Sequence, residues 1–156
     1  MSSDDKKANA TELVASAMES AASAPEGWTR KAMKGLPGAI DALWTKRDGD
    51  SWRYALQLDA SHCNAQGMIH GGVLMTFVDH ALSLMIWEAS GRALCSTVHL
   101  DSHFLKAVRA PAFVELDGKI LRQGKNTAFL RGTLRVDGVD VMEATGLWSI
   151  VQPEKS

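Results

Sequence analysis

Between residues 73 and 87 the chain is apolar at every position except Thr76, Asp79, His80 and Ser83. Spacings of three and four put those polar residues on one stripe of a helix. A helix that is apolar on all its other sides belongs in a core, and its polar stripe must face a site or a subunit contact. After Gly91 the pattern changes to period two. Residues 94–105 and 113–122 read as strands, and 127–136 alternates Ala128, Leu130, Leu134 and Val136 with Thr127, Phe129, Arg131, Thr133 and Arg135. Asp137-Gly138 predicts a hairpin into a last strand over 139–151, and Asp117-Gly118 is a competing turn signal that would break the strand containing it. Upstream, 39–47 and 52–59 read as two strands joined across Asp48-Gly49, preceded by a loop with Gly35, Pro37 and Gly38. The alanine-rich segment 11–24 is predicted helical until Pro25-Glu26-Gly27 stops it, after a disordered tail of about ten residues. The predicted order is helix, two strands, buried helix, four strands. That describes an α+β fold with an antiparallel sheet of about six strands curled around one long central helix, plus an N-terminal helix.

Composition narrows the function classes. The 156 residues suit one domain with a real core, and 17 Lys+Arg against 18 Asp+Glu argue against whole-molecule attraction to nucleic acid or to an anionic membrane. The apolar stretch 73–87 carries Asp79 and His80 and is shorter than the ~20 residues a bilayer span requires. The first ten residues are polar and lysine-containing without an apolar stretch, so no secretory signal is read there, and two cysteines form no metal pattern or disulfide framework. A reduced cytoplasmic setting is the expectation.

The chemistry gathers in one segment. His62-Cys63-Asn64-Ala65-Gln66-Gly67-Met68-Ile69-His70-Gly71-Gly72 runs directly into the buried helix, with Asp79 eight residues after Gly71. Peptide N–H groups at a helix start lack intrahelical partners and can polarise a carbonyl oxygen. Glycine there lets a carbonyl group approach the backbone. A carboxylate inside an apolar helix is costly unless it has a partner or a task. Eight residues of helix are ~12 Å, so one reacting carbon cannot touch both Gly71 and Asp79 of the same helix. The two groups can cooperate only if Gly71 of one subunit meets Asp79 of another, as two antiparallel helices across a twofold axis would arrange. His99, Asp101 and His103 share a strand face, but i, i+2 and i+4 positions spread over ~13 Å, too far for one metal ion without a bulge. They read as a polar ladder, and no metal or cofactor is expected.

On the H-x-N-x-x-G-x-x-H-G-G run at His62 to Gly72, on Asp79, and on the strand Ser96-Thr97-Val98-His99-Leu100, the chain resembles the hotdog-fold acyl-CoA thioesterases of the phenylacetate-pathway (PaaI-like) branch. The resemblance spans residues 27–151 as a hotdog domain, with 1–26 as an N-terminal extension and 152–156 as a C-terminal tail. It implies hydrolysis of an acyl-CoA thioester to free acid and CoA, in dimers with shared sites that assemble to a homotetramer. By position, Asp79 takes the role of general base or nucleophile, and the Gly71 N–H polarises the thioester carbonyl. Asn64 and His70 match polar residues that hold the carbonyl or the leaving sulfur. Thr97, with Ser96 next to it as an alternative, stands where some members orient water with a hydroxyl, and Ser83 stands where another branch places one. Gly72 and Ser83 belong to the expected substrate-binding set. Arg122, Lys125 and Arg131, around the turn Gln123-Gly124, are the candidates for holding the CoA phosphates. Two other readings fit the same residues: an acyl-thioester dehydratase or hydratase on this fold, and a non-catalytic acyl-CoA-binding module.

Overall fold

A computed structural model describes residues 25–33, 40 and 42–151. The helix expected over 11–24, both terminal tails and the loop glycines Gly35 and Gly38 lie outside the described residues. Strands β1 (Thr29–Ala32), β2 (Ala42–Asp48) and β3 (Ser51–Leu58) precede one long helix, α1 (Gly71–Ala89). Strands β4 (Leu94–Phe104), β5 (Ala112–Gln123), β6 (Thr127–Val136) and β7 (Val139–Val151) follow it. All seven form one sheet in the order β1-β2-β3-β5-β6-β7-β4, antiparallel throughout. The helix lies against β3, β4, β5 and β6. This is the hotdog architecture.

The sheet thus has one strand more than the pattern suggests. Strand β1 reads Thr-Arg-Lys-Ala, is exposed at every position and has no apolar alternation; it is a strand only because it pairs with β2. Asp117-Gly118 does not turn the chain either. Strand β5 runs through it with Gly118 opposite Gly132. A Cβ on Gly118 would collide with Met85 Sδ, and one on Gly132 would lie 2.8 Å from Leu116 Cδ1. The two glycines therefore form a notch in the sheet into which the helix side chains settle, so the signal read as a turn records close packing.

The helix buries Leu74, Phe77, Val78, Ala81, Leu82 and Ile86 against the sheet. Opposite them lie Leu56, Val114, Leu116, Leu130, Leu134, Met142 and Trp148, each 2% exposed or less. Within β6, Ala128, Leu130 and Leu134 point into this core while Thr127, Phe129 and Arg131 are exposed, as the period-two reading expects, but Thr133, read on the polar face, is buried. Strand β4 closes one edge of the sheet. Its pairing with β7 slips by one residue between Thr97 and His99, leaving Val98 as a bulge. Gly146 allows the close approach there, since a Cβ on it would stand 2.6 Å from the His99 carbonyl oxygen.

Candidate functional site

The start of α1 is built by the loop before it. Asp59 caps a short 3-10 turn over Ala60–His62, accepting the Ser61 N–H, while the His62 ring accepts the Asp59 N–H. The Ser61 hydroxyl, donating to the same carboxylate, holds Asp59 below the usual carboxylate range. Asn64 then organises the next turn. Its Oδ1 accepts N–H bonds from Gln66 at 3.0 Å and Met68 at 3.2 Å, and Gly67 takes a positive φ of 75°. Ile69 donates to the Val108 carbonyl and His70 to the His62 carbonyl, at 2.8 and 2.9 Å. The chain is therefore pinned on both sides when it delivers His70 and Gly71 to the helix.

His70 is the N-cap residue, and its Nδ1 accepts the Gly72 N–H at 3.1 Å. With Nδ1 accepting, the neutral ring carries its proton on Nε2. The Val73 and Leu74 N–H groups both donate to the His70 carbonyl oxygen. Of the N–H groups of residues 71–74, only that of Gly71 has no acceptor among the described residues. The open donor sits where the helix dipole is positive. A Cβ on Gly71 would stand 3.2 Å from Phe104 Cζ, so glycine also lets that ring lie against the helix end. Asn64, Met68, Leu74, Phe104, Leu105 and Lys106 are among the residues lining an open pocket of about 380 Å³ at this point.

Asp79 is half-buried about two turns further along and accepts the Thr97 hydroxyl at 2.6 Å. Thr97 has given its proton to that bond, so its oxygen remains free to accept one from a water. The second carboxylate oxygen of Asp79 has no partner among the described residues. Ser83 is engaged elsewhere: its hydroxyl accepts the Nε1–H of Trp148, a fully buried residue, at 2.8 Å. Cys95, next along the β4 face from Thr97, donates to the Ser83 carbonyl oxygen. Burial, and then the Asp79 carboxylate, push the Cys95 thiol up, so it stays protonated and is no rival nucleophile. Burial pushes the His80 imidazole down against the pull of Asp79, and its Nε2 is buried with no partner among the described residues.

The two candidate hydroxyls should therefore respond differently to removal. Thr97→Ala is expected to lower kcat roughly 10- to 100-fold with little change in stability, because it removes the hydroxyl that holds the candidate catalytic carboxylate Asp79. Ser83→Ala strips the acceptor from a buried indole N–H and is expected to cost about 1–3 kcal/mol of stability, with smaller effects on turnover. Thermal melts and steady-state rates on the two variants separate these outcomes.

The remaining candidates fall into three groups. Gly72 spends its N–H on His70 and so secures the cap. Arg122 and Lys125 stand at the β5–β6 hairpin, whose Thr127 is level with Ser149 and, through it, with Ser96 near the start of β4. Gly71 lies at the other end of β4, beside Phe104, roughly 26 Å further along that strand. Within one chain these two cations are not brought to the open N–H. His99, Asp101 and His103 are all exposed on β4, and among the described residues no three His, Cys, Asp or Glu side chains could hold a metal ion. Phe104, Lys106 and Arg109 were not anticipated from the sequence. A bulge in β4 and an irregular connection after it hide them from any period-two reading.

Comparison with known proteins follows the same lines. The sequence model of the thioesterase superfamily matches residues 66–143. A curated Pseudomonas aeruginosa protein named Putative esterase PA0474 is 29% identical over 97 residues, covering 62% of this chain and 72% of that protein. Among solved structures, a hypothetical thioesterase of Streptococcus pneumoniae with coenzyme A aligns at a TM-score of 0.66 and 21% identity, covering 75% of this chain and 91% of that one. A single-substitution mutant of the phenylacetic acid degradation protein PaaI from Thermus thermophilus aligns at 0.59 and 23% identity, covering 64% and 84%. At these identities the structural likeness speaks for the fold. Among the described residues no helix is long and apolar enough to cross a membrane.

Proposed function

The chain belongs to the thioesterase superfamily, and on that basis we propose that it hydrolyses acyl-CoA thioesters to free acid and CoA in sites shared between two subunits. The observation that carries the reading is the pairing of a half-buried, hydroxyl-bound carboxylate at Asp79 with an open helix-start donor at Gly71. Coenzyme A bound to the pneumococcal structure supports the choice of thiol.

The chemistry then runs as follows. The thioester oxygen lies against the Gly71 N–H, where the helix end stabilises the charge that develops on it. A water held by the Thr97 oxygen gives a proton to Asp79 as its oxygen attacks the carbonyl carbon. The tetrahedral intermediate collapses, the C–S bond breaks, and Asp79 returns its proton to the leaving thiolate. His70 Nε2–H and the Asn64 side-chain amide are the further donors for the carbonyl oxygen or the sulfur. Attack by the carboxylate itself, followed by hydrolysis of the anhydride, uses the same residues.

Gly71 and Asp79 lie on one helix, eight residues and ~12 Å apart. The Gly71 of one subunit therefore serves the Asp79 of its partner. Leu121 and Phe129, 51% and 47% exposed on the sheet, support association of two such dimers into a tetramer.

The purified protein is expected to release free thiol from a panel of acyl-CoAs without added metal. Loss of activity with a chelator and its return with zinc or iron would contradict the mechanism. Hydration of an enoyl-CoA without thiol release would favour the dehydratase reading instead.

A further inference from the structure

We propose that the opening between β3 and β5, beside the last turn of α1, is a second binding site that takes a primary ammonium group on a short apolar stem. The site stands apart from the one described above. Gly71 and Asp79 both touch β4, which β5, β6 and β7 separate from β3.

The opening follows from the strand register. Strands β3 and β5 pair only from Tyr54 opposite Leu116 to Leu58 opposite Ala112. Beyond Tyr54 they part, β3 continuing to Ser51 beside β2 and β5 to Gln123 beside β6. Met85 rests over Gly118 in the gap, where a Cβ would collide with its sulfur. A pocket of about 220 Å³ remains, with Asp50, Trp52, Tyr54, Met85, Glu88 and Ile120 in its lining. That is below the usual size for a drug-like ligand, so the guest is small.

The polar groups set the sign of its charge. Tyr54 is 5% exposed, and its hydroxyl has no hydrogen-bond partner among the described residues. A desolvated hydroxyl left unpaired is costly, and a guest in the pocket satisfies it. Burial, and then the Glu88 carboxylate, push the Tyr54 phenol up to about 12. The hydroxyl therefore keeps its proton at neutral pH and offers its oxygen as an acceptor. Asp50 and Glu88 are the charged residues of the lining, and no cation joins them. Neither has an ion-pair partner among the described residues. By contrast Glu115, Asp117 and Asp140 are each paired with an arginine. Glu88 also sits in the last turn of α1, which has no basic residue; the helix dipole is negative there and disfavours an unpaired carboxylate. Lys31 Nζ and Arg47 Cζ stack on the Trp52 ring at 4.7 and 4.9 Å, fixing that wall without lining the pocket. An ammonium group can donate to the Tyr54 oxygen and the Glu88 carboxylate together. Trp52, Met85 and Ile120 then receive its stem.

Benzylammonium chloride is the probe. Benzyl alcohol is its uncharged counterpart, and benzyltrimethylammonium keeps the charge without the N–H donors. In a titration of ¹⁵N-labelled protein, benzylammonium should shift the Trp52 indole N–H signal saturably, that signal being identified by its loss in Trp52→Phe. Benzyl alcohol is expected to bind at least tenfold more weakly, and the trimethyl compound about fivefold more weakly. Glu88→Gln, at an exposed position, should weaken benzylammonium about fivefold at unchanged melting temperature. Tyr54→Phe should weaken it about threefold, while Asp101→Asn on β4 should change nothing. Absence of a saturable shift at Trp52, equal binding of benzyl alcohol, or full affinity in Glu88→Gln would each overturn the proposal. None of these measurements involves thioester turnover, so a protein that hydrolyses no acyl-CoA would leave this site standing.

Discussion

Asp79→Asn is expected to lower kcat by about 10²- to 10⁴-fold, the range for removing a positioned general base, while the melting temperature stays close to that of wild type. The amide is nearly isosteric with the carboxylate, and its oxygen can still accept the Thr97 hydroxyl that Asp79 accepts at 2.6 Å. What disappears is the proposed general base or nucleophile. KM should move little, because in the proposed mechanism Asp79 acts at the reacting carbon and not at the nucleotide end. A structural role would produce the reverse pattern. Stability would fall, and turnover per folded molecule would remain near that of wild type. Measuring kcat together with a thermal melt decides the matter in a single preparation.

The second large effect is a gain. Subunits carrying Asp79→Asn and subunits carrying Gly71→Val should each be inactive. The valine Cβ would stand 3.2 Å from the Phe104 ring and cover the open N–H. Refolded together in equal amounts, half of the dimers pair one subunit of each kind. In such a dimer one site receives both defects and the other receives neither. Activity should therefore recover to about a quarter of wild type, since half the dimers have one of their two sites intact. The expectation depends only on Gly71 and Asp79 acting across subunits. A mixture that exchanges subunits, as shown by differently tagged chains, yet stays inactive would place both groups of a site in one chain.

The parts of this molecule that follow a single period are legible in the sequence alone. The helix Gly71–Ala89 and the alternation of Thr127–Val136 are both there, because burial on one face imposes its period on the sequence. Strand β1 is not legible, since all four residues are exposed and nothing but pairing makes it a strand. At Asp117-Gly118 the local turn preference and the packing requirement favour the same residue, and only the position of Met85 distinguishes them. For the candidate site, the motif locates Asn64, His70, Gly71 and Asp79, but not the division of labour among them. That His70 occupies the Gly72 N–H and leaves Gly71 open follows from the direction of one imidazole. Thr97 is the most instructive position. Strict alternation would put it on the same face as His99, Asp101 and His103. The bulge at Val98 leaves those three exposed while Thr97 reaches Asp79. An inserted residue shifts the period without marking itself, and for the same reason Phe104 against Gly71 could not be foreseen.

Strand β4 is at once the edge of the sheet and the carrier of Thr97. Its outer backbone N–H and C=O groups are the ready template for a second chain. If sites are completed by that second chain, as proposed, protein concentration becomes a variable of the chemistry. Dilution below the dissociation constant of the pair would lower specific activity, not merely total activity. A substitution on β4 that weakens association would then look, at low enzyme concentration, like a catalytic defect, and would be cured by adding more enzyme.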